Sequence, residues 1–264
     1  MDLQLQDKIA VVTGSTAGIG LAIATLLAEE GAAVVVNGRT EPRVDEAIAK
    51  IRRHVPPAKV RGVAADLGTA AGVERLTEQV PQADILVNNL GIFAPQPFAE
   101  IDDATWNQFF AVNVLSGVRL SRFYLPRMLQ ADWGRVVFIS SESGVNIPVE
   151  MIHYGVTKTA QIALARGLAE MTVGTNVTVN SVLPGPTRSE GVEQFVEDLA
   201  ASKKMNAQQV EEEFFRTMRP TSLLKRFTAP EEVAALVVYL CSPRAAATNG
   251  AALRAEGGLL RSIL

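Results

Sequence analysis

Apolar and polar positions follow two alternating rhythms along almost the whole chain. Short β-branched runs, IAVVT (9–13), AVVVN (33–37), VRGVA (60–64), DILVN (84–88), RVVFIS (135–140) and VTVNSV (177–182), are nearly continuous. Runs of this kind are expected of strands covered on both sides. Between them lie amphipathic stretches at helical spacing, from Ile19 to Glu30, Arg43 to Arg53, Ala71 to Gln79, Trp106 to Gln130 and Tyr154 to Met171. Strands separated by helices of this length predict right-handed βαβ units, and hence an α/β fold with a doubly wound parallel sheet in three layers. No solenoid repeat and no linker interrupts the pattern, so residues 1–264 are expected to form a single domain.

The rhythm changes between Arg188 and about Arg226. Val192, Phe195, Val196 and Leu199 form one apolar stripe there, and Val210, Phe214, Phe215 and Met218 form another. Two readings stay open: surface helices that each bury one face, or a mobile lid over a substrate.

Composition narrows the function classes. At 264 residues and 48% hydrophobic content the chain has ample material for a core, and its net charge of -3 argues against a nucleic-acid or anionic-membrane surface. Cys241 is the lone cysteine, which excludes an intramolecular disulfide and a thiolate metal cage. The start, MDLQLQDK, does not read as a signal peptide, and no apolar run approaches the ~20 residues of a spanning helix, so a cytoplasmic protein is expected. His54 and His153 are the only histidines; neither sits in a metal-ligand spacing, and no metal is expected. His153 points about 100° away from its neighbour Tyr154 on a helix and reads as packing or as polar trimming of a pocket. ISSESG does not match a hydrolase nucleophile elbow, and the basic RRHVPPAKVR stretch (52–61) reads as a solvated helix end and loop.

TGSTAGIG (13–20) follows the first predicted strand and opens the first predicted helix. Gly14, Gly18 and Gly20 allow a tight turn and bring a pyrophosphate close to the helix N-terminus, where free N–H groups and the helix dipole favour negative charge. The loop resembles the TGxxxGxG loop of the short-chain dehydrogenase/reductase family, which has a Rossmann-like fold. Further family landmarks are present: NNLG (88–91), Asn113 within AVNV, Ser141 within ISSESG, YGVTK (154–158), PGPT (184–187) and AEGG (255–258). Ser141 precedes Tyr154 by the family's thirteen residues, and the likeness runs from about Lys8 to Gly258. Leu90 replaces a usual alanine and is expected to add bulk beside the cofactor; Glu256 replaces a usual aspartate.

The resemblance implies cofactor contacts from Gly14, Ser15, Thr16, Gly18, Ile19 and Gly20 in the first loop, and from Asp66 and Leu67 after the third strand. It adds Asn89 and Gly91 after the fourth strand, and Pro184, Gly185 and Thr187 after the sixth, with Thr187 on the nicotinamide carboxamide. In NAD-binding folds an acid at the end of the second strand holds the adenosine ribose and repels a 2'-phosphate. Here that strand ends VVVNGRT: Asn37 and Gly38 supply no acid, and Arg39 offers a planar cation. NADP is the expected cofactor, with NAD left open by Glu41, which stands within reach of a ribose, and by Arg39's alternative reading as a solvated turn residue.

Tyr154 and Lys158 are four residues apart on a predicted helix and project from one face. A free tyrosine, with a pKa of about 10, is a poor acid or base at neutrality, and a nearby fixed cation stabilises its phenolate. By family resemblance Tyr154 exchanges the proton, Ser141 bonds the substrate carbonyl, Lys158 also binds the nicotinamide ribose, and Asn113 holds a water that connects Lys158 to solvent. The expected function is an NADP-dependent oxidoreductase that moves a hydride between nicotinamide and a small carbonyl or secondary-alcohol substrate, as in ketone or 3-oxoacyl reduction. An NAD-dependent sugar, polyol or hydroxysteroid-type dehydrogenase and a non-catalytic nucleotide sensor remain the alternatives. Pocket walls are expected from Ile92, Phe93, Glu142, Ser143, Ile147, Met151 and the Arg188 to Arg226 segment. The resemblance also implies a homotetramer or homodimer built partly on the long helices after the fourth and fifth strands.

Overall fold

The computed structural model describes residues 1–189, 192, 196, 200 and 205–263. Seven strands, β1 (Ile9–Val12), β2 (Ala33–Gly38), β3 (Val60–Ala64), β4 (Ile85–Asn88), β5 (Gly134–Ile139), β6 (Val177–Pro184) and β7 (Ala252–Ala255), form one sheet in the order β3-β2-β1-β4-β5-β6-β7. Every pairing is parallel.

Side-chain alternation along the strands produces two separate cores. Ala10, Val12, Val34 and Val36 point to one face, where they meet Ile23, Ala24 and Leu27 of α1 (Gly18–Glu29), Val44, Ala47 and Ile51 of α2 (Glu41–His54), and Val233, Val237 and Leu240 of a helix at Pro230–Leu240. Val11, Val35, Leu86, Val136 and Phe138 point to the other face. They pack on Val73 and Leu76 of α3 (Ala70–Gln79), on Leu120 and Tyr124 of a helix at Ser116–Gln130, and on Ala165 and Ala169 of a helix at Ile152–Glu170. Both faces being covered, no strand needs a polar side, and each fully buried Val, Leu or Ile contributes roughly 1.5–3 kcal/mol.

The single helix expected over Trp106 to Gln130 is divided. α4 (Asp103–Phe110) runs into a π-helical turn, Ala111–Leu115, before α5 (Ser116–Gln130) begins. The hydrophobic period cannot register that turn, which carries Asn113. After α6 (Ile152–Glu170), the second stripe of the irregular segment becomes α7 (Ala207–Thr217), which buries Val210 and Phe215. An Asn206/Gln209 capping box starts α7, each side chain bonding the other residue's N–H at 2.9 Å. Of the first stripe, Phe195 and Leu199 lie outside the described residues. α8 (Pro230–Leu240) and β7 were not anticipated: β7 is a short edge strand with no apolar run, whereas α8 carries Pro at its start and Glu231 and Glu232 in its first turn.

Strand order reverses between β1 and β4. The crevice beyond their C-terminal ends is the topological switch point where doubly wound sheets bind ligands. The loops TGSTAGIG, NNLG, ISSESG and PGPT leave β1, β4, β5 and β6 at that same edge.

Candidate active site

The first loop is held by side chains from two other strands. Thr13 Oγ1 accepts from the N–H groups of Asn89 and Leu90, each at 2.9 Å, and Asn89 Nδ2 donates to the carbonyls of Thr13 (2.9 Å) and Gly14 (3.0 Å). Asn37 is buried; its Oδ1 accepts from Gly14 N–H at 3.2 Å and its Nδ2 donates to Val63 O and Ala65 O, both at 3.1 Å. Ser15 is likewise spent internally, its hydroxyl donating to Val12 O at 2.7 Å. Within this frame Gly14 (φ +58°) and Gly18 (φ +54°) take left-handed conformations that L side chains rarely adopt. A Cβ on Gly20 would stand 2.5 Å from both Gly14 O and Asn89 Nδ2. α1 starts with no side-chain cap, so its first-turn amides are free for a ligand. An uncapped helix N-terminus under a glycine cradle fits a pyrophosphate.

Around the loop, the expected nucleotide contacts divide. Arg39 is exposed just past β2, and Glu41 lies in the first turn of α2, 3.7 Å from Arg75. A Cβ on Gly38 would meet the Thr16 methyl at 2.4 Å, so an acid has no room there. Asp66 is exposed and turns the chain by accepting from Gly68 N–H at 3.0 Å, while the Leu67 side chain is core. Leu90, expected to add bulk beside the cofactor, lies against Gly14 of the glycine loop and packs on the core without bordering the cavity described below.

A cavity of about 530 Å³ opens beside this cradle, and Ile19, Asn89, Gly91, Ser141, Tyr154, Lys158, Pro184, Gly185 and Thr187 all border it. Tyr154 and Lys158 share it as the spacing predicts, with Nζ 5.6 Å from the Tyr154 ring centre. Ser141 opens the turn at the end of β5, its hydroxyl accepting from Ser143 N–H at 3.1 Å. Thr187 is fixed by Thr228 at 2.8 Å and by Gly185 O at 2.9 Å. The outer wall holds Ile92, Phe93, Glu142, Ser143 and Met151, together with Val192, Phe214, Met218 and Arg219 from the irregular segment. Ile147 does not belong to it; it is 43% exposed and covers Gly155.

Behind the reactive pair runs a buried polar chain. Lys158 Nζ donates to Ile139 O at 2.8 Å and to Gln161 Oε1 at 3.2 Å, and Gln161 Nε2 donates to the Asn113 carbonyl at 2.6 Å. Asn113 does not border the cavity. Its side chain is committed to the Ile92 N–H (2.8 Å), Ile92 O (3.0 Å) and Thr157 Oγ1 (3.0 Å), so Gln161 is what joins Lys158 to Asn113. Gln161 and Arg219 were not singled out in the sequence. Gln161 carried a signal, since it lies three residues beyond Lys158 on the same helical face.

Charge in the site is set by burial. Among the protein's own groups, burial pushes the Tyr154 phenol up to about 12, with a hydrogen-bonding contact from Ser141 acting the other way, and pushes Lys158 down to about 7. Burial is the first cause of both shifts, and Lys158 is not among the groups that lower the Tyr154 phenol in the protein alone. His153 is buried between Phe109 and Trp106, ring centres 4.1 and 6.0 Å away, and burial lowers its pKa, so it packs and does not trim the pocket. Among the described residues no His, Cys, Asp and Glu grouping could hold a metal ion, and no helix is long and apolar enough to cross a membrane.

A pyrophosphate cradle at the switch point, opening onto a phenol, a lysine and a serine hydroxyl, defines a nucleotide-dependent oxidoreductase. Residues 8–200 match the short chain dehydrogenase family model. The chain is 50% identical over 263 residues to the uncharacterized oxidoreductase YvaG of Bacillus subtilis, and 33% identical over 258 residues to a D-beta-hydroxybutyrate dehydrogenase of Cupriavidus necator. These alignments cover 100% of both chains in the first case, and 96% of this chain and 98% of the relative in the second. Among solved structures, L-sorbose reductase from Gluconobacter frateurii, complexed with NADPH and L-sorbose, superposes with a TM-score of 0.94 at 32% identity over 100% of both chains. The chain belongs to the short-chain dehydrogenase family and is an NAD(P)-dependent oxidoreductase.

Proposed function

We propose that the protein is an NADPH-dependent carbonyl reductase acting on a small ketone, with Tyr154 as proton donor. The observation that carries this reading is the shared cavity: Tyr154, Ser141 and Lys158 border one space that continues to the glycine cradle. The nicotinamide, when bound, supplies the hydride. Ser141 and Tyr154 bond the carbonyl oxygen, and the Tyr154 proton neutralises the alkoxide that develops there. A phenol held near 12 is well matched to this direction, because it keeps its proton until an alkoxide, a far stronger base, appears beside it. Lys158 holds the nicotinamide ribose and, through Gln161, is tied to Asn113; Thr187 positions the carboxamide.

NADPH over NADH is supported by the end of β2. Asn37 is turned inward, Gly38 has no room for an acid, Glu41 stands beside Arg75, and the exposed Arg39 makes no ion pair with a described residue. A 2'-phosphate thus meets the Arg39 guanidinium, and neither Asn37 nor Gly38 supplies a carboxylate to repel it. Solved relatives bound to NADPH, including L-sorbose reductase, support the same choice. Action in the cytoplasm as a homotetramer or homodimer, assembled on the outer faces of α5 and α6, completes the reading; sedimentation tests the assembly. The cofactor test is Arg39→Asp, assayed with NADPH and NADH side by side. The kcat/KM ratio should fall at least tenfold toward NADH, and an unchanged ratio overturns the assignment.

A further inference from the structure

The outer wall of the cavity divides into polar side chains that are engaged with one another and apolar side chains that stand open. Arg219 donates from Nε to Glu142 Oε1 at 3.0 Å, and from Nη1 to Glu150 Oε1 at 3.2 Å and Met218 O at 2.9 Å. Glu142 also has a hydrogen-bonding contact with the Ser143 side chain, and its Oε2 is shielded from solvent. These groups hold the segment around α7 against the turn after β5. A ligand that brought its own charge or hydroxyl to this wall would have to compete with them.

The apolar side chains are in the opposite state. Phe93 is 48% exposed and Met218 38% exposed, and both border the cavity. The Phe93 ring centre lies 6.3 Å from that of Tyr154, edge-on at an interplanar angle of 65°, so aromatic surface stands beside the phenol that meets the carbonyl oxygen. Half-buried Phe214, from α7, borders the same space and packs on Phe227 with ring centres 5.1 Å apart. A loop phenylalanine left half in water adds little to the core. Apolar surface of this kind gains free energy when an apolar ligand covers it, whereas a hydroxyl or carboxylate laid against it loses water without a new partner.

Resting on the carbonyl-reductase reading above, we propose that the substrate is a ketone whose chain ends in an apolar ring, and that Phe93 selects it by packing against that ring. Ketones with a hydroxyl or a carboxylate in place of the ring are poorer substrates. Aromatic pairs favour edge-to-face or offset packing, so an aryl group suits the Phe93 face best.

Four ketones on one skeleton test this: butanone, benzylacetone, hydroxyethyl methyl ketone and levulinate, which carry hydrogen, phenyl, hydroxyl and carboxylate on the same carbon. That carbon is not bonded to the carbonyl, so the four differ little in intrinsic reactivity. NADPH oxidation is followed with wild-type enzyme, Phe93→Ala and Phe93→Tyr. In the wild type benzylacetone should exceed butanone in kcat/KM by at least tenfold, while the hydroxy ketone and levulinate should not exceed butanone. The benzylacetone-to-butanone ratio should fall at least fivefold in Phe93→Ala and stay within twofold of wild type in Phe93→Tyr, which keeps the ring. A wild-type preference below tenfold, a ratio that falls less than fivefold in Phe93→Ala, or levulinate or the hydroxy ketone surpassing butanone overturns this inference and leaves carbonyl reduction standing. If a variant does not fold, the wild-type ratios still decide. No NADPH oxidation with any of the four, in enzyme shown to bind NADPH, overturns the reductase reading and this inference with it.

Discussion

Lys158→Met removes an amine that the fold buries to 4% exposure, and the cost of charging it there predicts a specific dependence of stability on pH. Burial holds Lys158 down to about 7 in the folded protein, against 10.5 in the unfolded chain. Between these values the unfolded chain carries the proton and the folded chain does not. Stability therefore rises with pH through this window, by about 1.4 kcal/mol per unit from this group, and the cost is fully present below the folded value. From pH 7 to pH 9, allowing for half-titration at the lower end, the wild type should gain about 2 kcal/mol that the methionine variant lacks. Methionine also strips Ile139 O and Gln161 Oε1 of their donor, a penalty of about 1–3 kcal/mol that does not vary with pH in this range. The informative quantity is thus the change in the difference between the two proteins. Urea unfolding of both, without nucleotide and at equal protein concentration, measures it at the two pH values, and all shared titrating groups cancel. A wild-type-minus-variant difference that stays constant across this range refutes the claim that burial deprotonates Lys158.

Two further substitutions probe the frame of the site. Gly20→Ala places a methyl against Gly14 O and Asn89 Nδ2, so NADPH affinity measured by calorimetry should fall at least tenfold; affinity within twofold of wild type removes the cradle from the account. Gln161→Leu takes an acceptor from the Lys158 ammonium, which lowers its pKa further, so the ionisation of Lys158 seen in the pH profile of kcat/KM should move down by about half a unit to one unit. A profile that keeps its midpoint while kcat alone falls assigns Gln161 a purely structural role.

Much of this architecture was legible because it rests on period and on glycine. Six of the seven strands are continuous β-branched runs, and the helices between them appear within a few residues of their ends. β7 escaped because ALRA has no apolar period, its place at the sheet edge being set by pairing with β6. The π-helical turn escaped because a one-residue bulge leaves the hydrophobic stripe almost unchanged while re-aiming Asn113. Tyr154, Lys158 and Ser141 were picked out by their likeness to the family's motifs, and the fold brings all three to one cavity. Their protonation was not legible, because burial is a property of the whole fold: a lysine four residues from a tyrosine suggests an acidified phenol, whereas desolvation pushes both groups toward neutrality. Arg219 was hidden for a similar reason. Seventy-seven residues separate it from Glu142, and only the path of the chain past α7 brings them together.

The central claim is that the Tyr154 hydroxyl delivers the proton, and Tyr154→Phe tests it with the fewest intermediaries. The variant keeps the ring that meets Phe93 edge-on at 6.3 Å and deletes one oxygen atom. NADPH affinity should remain within about threefold of wild type, while ketone-dependent NADPH oxidation falls by about 10²–10⁴. A phenylalanine variant that binds NADPH and reduces the ketone at close to the wild-type rate contradicts the account.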